Sequence, residues 1–200
     1  MKSKPITKKI ISGKFKGKTL SLPSKTTTRS SKSIVLESFF NTIQFEIIDA
    51  LFVEVFSGSG SIGLEALSRG AKEIIFMERD RDALGVLKQN IALTDPMACE
   101  VFSGDSFENI KVVVKKLKKK NESAYFYIDP PFSVREGMED IYDKMIKMIA
   151  SLPKEVVKLI IIEHMTGLEI PHLIGSFEVI KSKKFGNTSL TYLSTSQSTI

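Results

Sequence analysis

The chain has 200 residues, of which 42% are hydrophobic and 26% charged, and its formal net charge is +6. That length suits one domain with a substantial core, and the composition excludes fibrous and disordered classes. Its one cysteine, Cys99, excludes a disulfide framework and a thiolate metal cluster, no uncharged apolar run nears the ~20 residues that span a bilayer, and the positive balance favours a polyanionic partner.

In chain order, Met1 to Lys9 is basic without the apolar stretch of a secretory signal, which predicts a cytoplasmic setting. Ile10–Lys18 sets Gly13 and Gly17 among lysines and predicts a small basic hairpin. Lys14, Lys16 and Lys18, grouped around Phe15, are candidate RNA contacts. Ser24–Lys32 is rich in serine, threonine and lysine with no apolar period, and predicts a loop. Ser33–Glu46 returns to helical spacing, with Val35, Phe39, Ile43 and Ile47 four apart. Residues 1–46 are thus expected as a basic hairpin, loop and helix appended to a domain over 47–200.

That domain alternates strand and helix. Leu51–Phe56 reads as a strand, Ser61–Arg69 as a helix ended by Gly70, and Glu73–Glu78 as the next strand. Asp80 caps a helix to about Leu93, with Leu84, Leu87 and Ile91 on one face. Cys99–Ser103, Tyr125–Asp129 and Val156–Glu163 follow as strands, separated by helices over Phe107–Lys120 and Met138–Ser151. The tail gives two strands, Ser176–Lys183 and Ser189–Leu193, around the turn signal Phe185-Gly186-Asn187. This order predicts an α/β, doubly wound parallel sheet finishing in an antiparallel pair.

Two segments carry chemistry. Gly58, Gly60 and Gly63 have G-x-G-x-x-G spacing between a strand and a helix, where missing β-carbons let the backbone turn tightly and approach a ligand. Nicotinamide and flavin enzymes use the same spacing. Glu78 ends the next strand, where a carboxylate accepts hydrogen bonds from ribose hydroxyls or stands as a solvated strand-end acid. Glu54 lies in an apolar strand and either faces the site or hydrogen-bonds the glycine loop. Asp105 either meets an adenine amino group or caps a helix.

The second segment is Asp129-Pro130-Pro131-Phe132, at the end of an apolar run. Proline removes a ladder donor and holds the preceding residue extended. The corner therefore offers a carboxylate, a carbonyl and an aromatic face in fixed geometry. Hydrogen bonds to the Asp129 carboxylate and the Pro130 carbonyl would orient an exocyclic base amine for methyl transfer, and Phe132 would stack the base, worth ~1–3 kcal/mol. A base reached this way must be unpaired or flipped. His164 and His172 have no partner at ligand spacing, so no metal is expected, and Lys115–Lys120 reads as a solvated helix end.

These residues resemble the RsmD family of bacterial 16S rRNA guanine-N2 methyltransferases. The likeness runs from Ser12-Gly13-Lys14-Phe15-Lys16-Gly17-Lys18 through Glu37–Asn41, Gly58–Ala71, Glu78, Asn90 and Gly104-Asp105 to Asp129–Phe132. It implies a Rossmann-like, seven-stranded sheet of the class I methyltransferases, S-adenosyl-L-methionine as cofactor, and a guanine of 16S rRNA as acceptor, presented by a partly or fully assembled small ribosomal subunit. On that analogy Asp129, Pro130 and Phe132 are catalytic. The cofactor residues are Glu54, Phe56, Gly58, Gly60, Glu78, Arg79, Asp105, Ser106 and Asp129, with Glu78 at the ribose and Asp105 at the adenine. Arg29 and Lys32 join the three lysines as RNA contacts. Family members usually carry Asp where Glu54 stands, a one-methylene change that keeps its role. Over Arg29–Glu37 they typically have Arg-Pro-Thr-Thr at the start and arginines where Ile34 and Leu36 stand, so this segment, which keeps Arg29 and Glu37, departs from the family's basic pattern for RNA docking. Competing readings are an adenine-N6 methyltransferase on DNA or RNA, a catalytically silent RNA-binding assembly factor, and a nicotinamide oxidoreductase.

Overall fold

In the computed structural model, which describes residues 6–23, 31–131 and 140–195 (backbone only at 31 and 32), every residue of Leu51–Val55 is buried. Leu51, Val53 and Val55 enter one core and Phe52 the other. A strand dry on both faces is the mark of a central strand in a covered parallel sheet.

The elements run β1 Thr7–Lys9, β2 Thr19–Ser21, α1 Ser31–Thr42, β3 Leu51–Val55, α2 Ser61–Ser68, β4 Glu73–Glu78, α3 Arg81–Ala92, β5 Cys99–Ser103, α4 Ser106–Lys120, β6 Ala124–Ile128, α5 Ile141–Ala150, β7 Val157–Met165, β8 Leu173–Ile174, β9 Phe177–Phe185 and β10 Thr188–Ser194. The main sheet has the order β5-β4-β3-β6-β7-β10-β9-β8. Strands β3 to β7 pair in parallel, and β10 is antiparallel to both β7 and β9. The seven longer strands are those of the expected doubly wound sheet, and the two-residue β8 pairs outside β9 as an eighth. Gly186, at φ 61, begins the two-residue turn between β9 and β10.

Helices α1 to α3 cover one face through Phe39, Leu64 and Leu87, and α4 and α5 cover the other through Val113, Leu117, Met145 and Ile149. Local signals set the helix ends. Asp80 accepts from the Ala83 N–H and Asp105 from the Phe107 N–H, while Asn121 closes α4 in the left-handed region at φ 53. Helix α1 stops at Thr42, earlier than its apolar spacing predicts. Ile43 and Ile47 stay buried because an Ile47 N–H to Ile43 carbonyl bond carries the stripe on.

The N-terminal hairpin differs from its expected place. Its strands are Thr7–Lys9 and Thr19–Ser21, and residues 10–18 form the loop between them. Tertiary contact decides this. Gly13, at φ 82, packs so tightly on α2 that an added β-carbon would lie 1.7 Å from the Ser68 carbonyl oxygen. The Lys14 N–H donates to that carbonyl and the Phe15 N–H to Ser68 Oγ, while buried Glu65 accepts from the Ile11 and Ser12 N–H groups. Ile10, Phe15 and Leu20 share one core with Phe52, Leu64 and Phe76, so the segment over 1–46 packs into the domain it precedes.

Candidate functional site

The sheet reverses its winding between β3 and β6. From β3 the chain proceeds outward through β4 to β5, and from β6 the other way through β7. Ligands of open α/β sheets bind in the crevice outside the carboxyl ends of strands at such a switch point. There the structure has a cavity of about 540 Å³. Glu54 and the glycine loop line it from β3, Tyr127 and Asp129 from β6, and Glu163 from β7. Lys8 and Lys9 of β1 and Leu36 of α1 also line it.

Loop residues Phe56, Gly58 and Gly60 have φ of 60, 54 and 75. Phe56 is no glycine, so its left-handed backbone is a local strain of the kind found at ligand sites. Its ring sits edge-on to Phe107 at 5.5 Å. Ser57 ties the loop to two strands, donating from Oγ to the Glu54 carbonyl and accepting from the Met77 N–H. Gly60 precedes α2 without a side-chain cap. Glu54 supplies one from β3, accepting from the Gly63 N–H at 2.8 Å and the Ile62 N–H at 3.4 Å. Glu54 therefore takes both roles open to it, cavity wall and loop anchor. Burial pushes its carboxyl up to about 8, with repulsion from Asp129 adding to the rise and the two amides and Lys8 opposing it.

The other strand-end acids organise backbone. Glu78, which is buried, accepts from the Gly58 N–H at 2.6 Å on one oxygen and from the Arg79 and Asp80 N–H groups at 2.7 Å on the other. Two carboxylate oxygens hold about four acceptor positions, so one remains for a ligand hydroxyl. Asp105 is exposed and caps α4; Ser106 is buried and Arg79 exposed. Among the described residues these four lie outside the cavity wall, on the β4–β5 side of the glycine loop.

On the acceptor side, Asp129 lines the cavity and Pro130 is buried behind it. Phe132 and Arg29 lie outside the described residues, as does the side chain of Lys32. Lys14, Lys16 and Lys18 are exposed on the hairpin loop. Lys14 lies 3.9 Å from Asp95, and Lys18 meets the Leu93 carbonyl. Phe15 is buried beneath the Lys14 and Lys18 ammonium groups, so it braces the loop instead of presenting a face to RNA. His164 is also structural, bonded through Nε2 to Thr191 and through Nδ1 to the Met165 carbonyl. Several lysines of α4 pair with acids, Lys116 with Glu73 and Glu100 and Lys118 with Glu155, as a solvated helix end does.

Tyr127 and Glu163 were not singled out in the sequence, and Asn90 was noted there without a role. Tyr127 donates to the Glu163 carboxylate at 2.6 Å within the cavity wall. An acid closing the apolar run Leu159–Ile162 was the available signal, since an acid seldom enters such a run without a partner. Asn90, fully buried, donates to the Ser21 and Ser59 carbonyls and accepts from the Ser21 N–H. It thereby fastens the hairpin to the glycine loop.

Residues 8–194 match the family model described as Conserved hypothetical protein 95. A Bacillus subtilis protein provisionally named an rRNA methyltransferase is 27% identical over 190 residues, spanning 91% of this chain and 96% of that protein. Ribosomal RNA small subunit methyltransferase D of Escherichia coli is 31% identical over 130 residues, 65% of this chain and 62% of that protein. Among solved structures, one from Escherichia coli provisionally titled a methyltransferase aligns with a TM-score of 0.73 at 25% identity, covering 95% of this chain and 98% of that one.

Proposed function

The chain belongs to the RsmD family, which the model described as Conserved hypothetical protein 95 represents, and from that premise we propose that it transfers a methyl group from S-adenosylmethionine to the N2 amine of a guanine in small-subunit ribosomal RNA. One observation carries this reading. The glycine loop and Asp129, at the ends of the two strands that flank the winding reversal, line a single cavity.

The residues fit the cofactor. An added β-carbon at Gly58 would meet nothing within 4 Å, so the loop borders open space, and the cavity volume falls within the ~300–1,000 Å³ of small-molecule sites. Glu54, Phe56, Gly58 and Gly60 would hold the amino-acid end. Glu78, with Arg79, Asp105 and Ser106 beside it, would hold the adenosine end. When bound, S-adenosylmethionine supplies an electrophilic methyl group on a sulfonium.

The chain's own residues prepare the acceptor. A base amine is a weak nucleophile because its lone pair is delocalised into the ring. The Asp129 carboxylate and the Pro130 carbonyl accept its two N–H groups, which favours a pyramidal nitrogen and aims the lone pair. Phe132 stacks the base. Asp129 need not be strongly basic, since the proton leaves after the new bond forms. Lys14, Lys16, Lys18, Arg29 and Lys32 hold the RNA backbone, and a partly or fully assembled small subunit presents the guanine.

The test is Asp129→Ala. In a methyl-transfer assay on small-subunit particles from cells lacking the gene, the variant loses transfer by roughly 10²-fold or more, while calorimetry finds cofactor affinity largely intact. Parallel loss of both would remove Asp129 from the acceptor role. Absence of N2-methylguanosine from wild-type products would remove the guanine assignment.

A further inference from the structure

We propose that Glu163, held by Tyr127, is the residue that makes this site choose guanine over bases whose ring nitrogen beside the amine is an acceptor. The inference rests on the methyl-transfer reading above and assigns its base selectivity to named side chains.

The sheet register brings the two acids together. Strand β6 pairs with β7 so that Tyr127 lies opposite Ile161 and Ile128 opposite Ile162. One further step sets Asp129 level with Glu163 on the neighbouring strand. Strands in a sheet lie about 4.8 Å apart. Side chains two apart on one strand share a face, so Tyr127 and Asp129 project to one side, as do Ile161 and Glu163. All but Ile161 line the cavity. Glu163 is 2% exposed, and its carboxylate is fixed by the Tyr127 hydroxyl at 2.6 Å. A carboxylate so held is a rigid part of the wall.

The wall is therefore rich in acceptors where the base edge arrives. Ionised carboxylates accept hydrogen bonds and donate none. Guanine presents donors only along this edge, two N–H groups on N2 and one on N1. Asp129 and the Pro130 carbonyl engage the amine, and Glu163 accepts the N1–H. Adenine and cytosine carry an amine beside an unprotonated ring nitrogen. Against Glu163 that nitrogen would set lone pair against lone pair in a buried site, and a mismatched buried polar group costs about 1–3 kcal/mol.

The experiment uses 2-aminopurine, which keeps the N2 amine of guanine but has an unprotonated N1. Small-subunit RNA is ligated so that the methylated position carries either base, and kcat/KM is measured for the full-length protein. Wild type prefers guanine by roughly 10- to 100-fold. Glu163→Gln, whose amide donates as well as accepts, brings the preference to within a few-fold, with cofactor affinity unchanged by calorimetry. Tyr127→Phe removes the 2.6 Å hydrogen bond to that carboxylate and lowers the preference partway. It also carries the test if Glu163→Gln fails to bind cofactor.

A guanine preference unchanged in both variants, with wild type active, overturns the role of Glu163 alone. Wild-type protein that methylates no guanine in RNA or particles overturns the functional reading and this inference with it.

Discussion

Glu54 and Gly63 are joined by a hydrogen bond of 2.8 Å from the glycine N–H to a buried carboxylate. A central strand thereby caps the helix after the glycine loop, and the loop's shape depends on an acid nine residues earlier. Burial pushes that acid from 4.5 up to about 8. The folded chain thus holds the proton more tightly than the unfolded chain. The contribution to stability is fully present below 4.5, is lost progressively as pH rises from there to about 8, and is constant above. The loss is of order a few kcal/mol. In urea unfolding across that window, Glu54→Gln flattens the decline seen in wild type, and an identical slope in both proteins would contradict the assignment.

Gly60→Ala meets two obstacles. Its φ of 75 is left-handed, and the new methyl would lie 2.3 Å from Leu87 Cδ1 and 3.1 Å from Phe76 Cε1. Backbone strain and overpacking together cost about 2–4 kcal/mol. Denaturant unfolding reads that loss, and calorimetry finds cofactor affinity reduced because the loop is displaced.

Asn90→Ala removes three hydrogen bonds, one fully buried, and leaves Ser21 and Ser59 backbone groups without them. The expected destabilisation is about 3 kcal/mol. Asn90→Asp retains the bond from the Ser21 N–H but not the two donated by the amide, so it loses more than half of that stability. If hairpin and loop are coupled through this side chain, both variants also weaken cofactor binding; unchanged affinity alongside lowered stability would confine Asn90 to the scaffold.

Replacing Lys14, Lys16 and Lys18 together by Ala weakens binding to small-subunit RNA at low salt. Each lost phosphate contact reduces the slope of log affinity against log salt by roughly 0.7–0.9. Cofactor affinity stays at the wild-type value, since all three ammonium groups lie outside the cavity wall among the described residues. A salt slope equal to wild type would show that the loop does not touch RNA.

Strands such as Leu51–Val55 and Val157–Met165, and helices such as Arg81–Ala92 and Ser106–Lys120, are legible in the chain because their signals are local. Apolar period and capping residues occupy the same few positions that fold. The order of these elements dictates a doubly wound sheet, and handedness rules leave little freedom in winding it. The glycine loop, Glu54 and Asp129 could be named for the same reason, since each adjoins the strand end that exposes it.

What the chain alone leaves undecided depends on distant partners. The hairpin strands are three residues long, and their place follows from the fit of Gly13 on Ser68, fifty-five residues on. Glu78 looks like a solvated strand-end acid until the Gly58, Arg79 and Asp80 amides engage it, and for Asp105 the structure gives the helix cap that the sequence left as one of two roles. Glu163 lies thirty-four residues beyond Asp129, and only the parallel register of β6 with β7 sets the two level. Local periodicity thus determined the elements and the kind of chemistry, whereas sheet register and long-range hydrogen bonds decided which acids share one wall, because those depend on the energy of the assembled sheet and not on any short window of sequence.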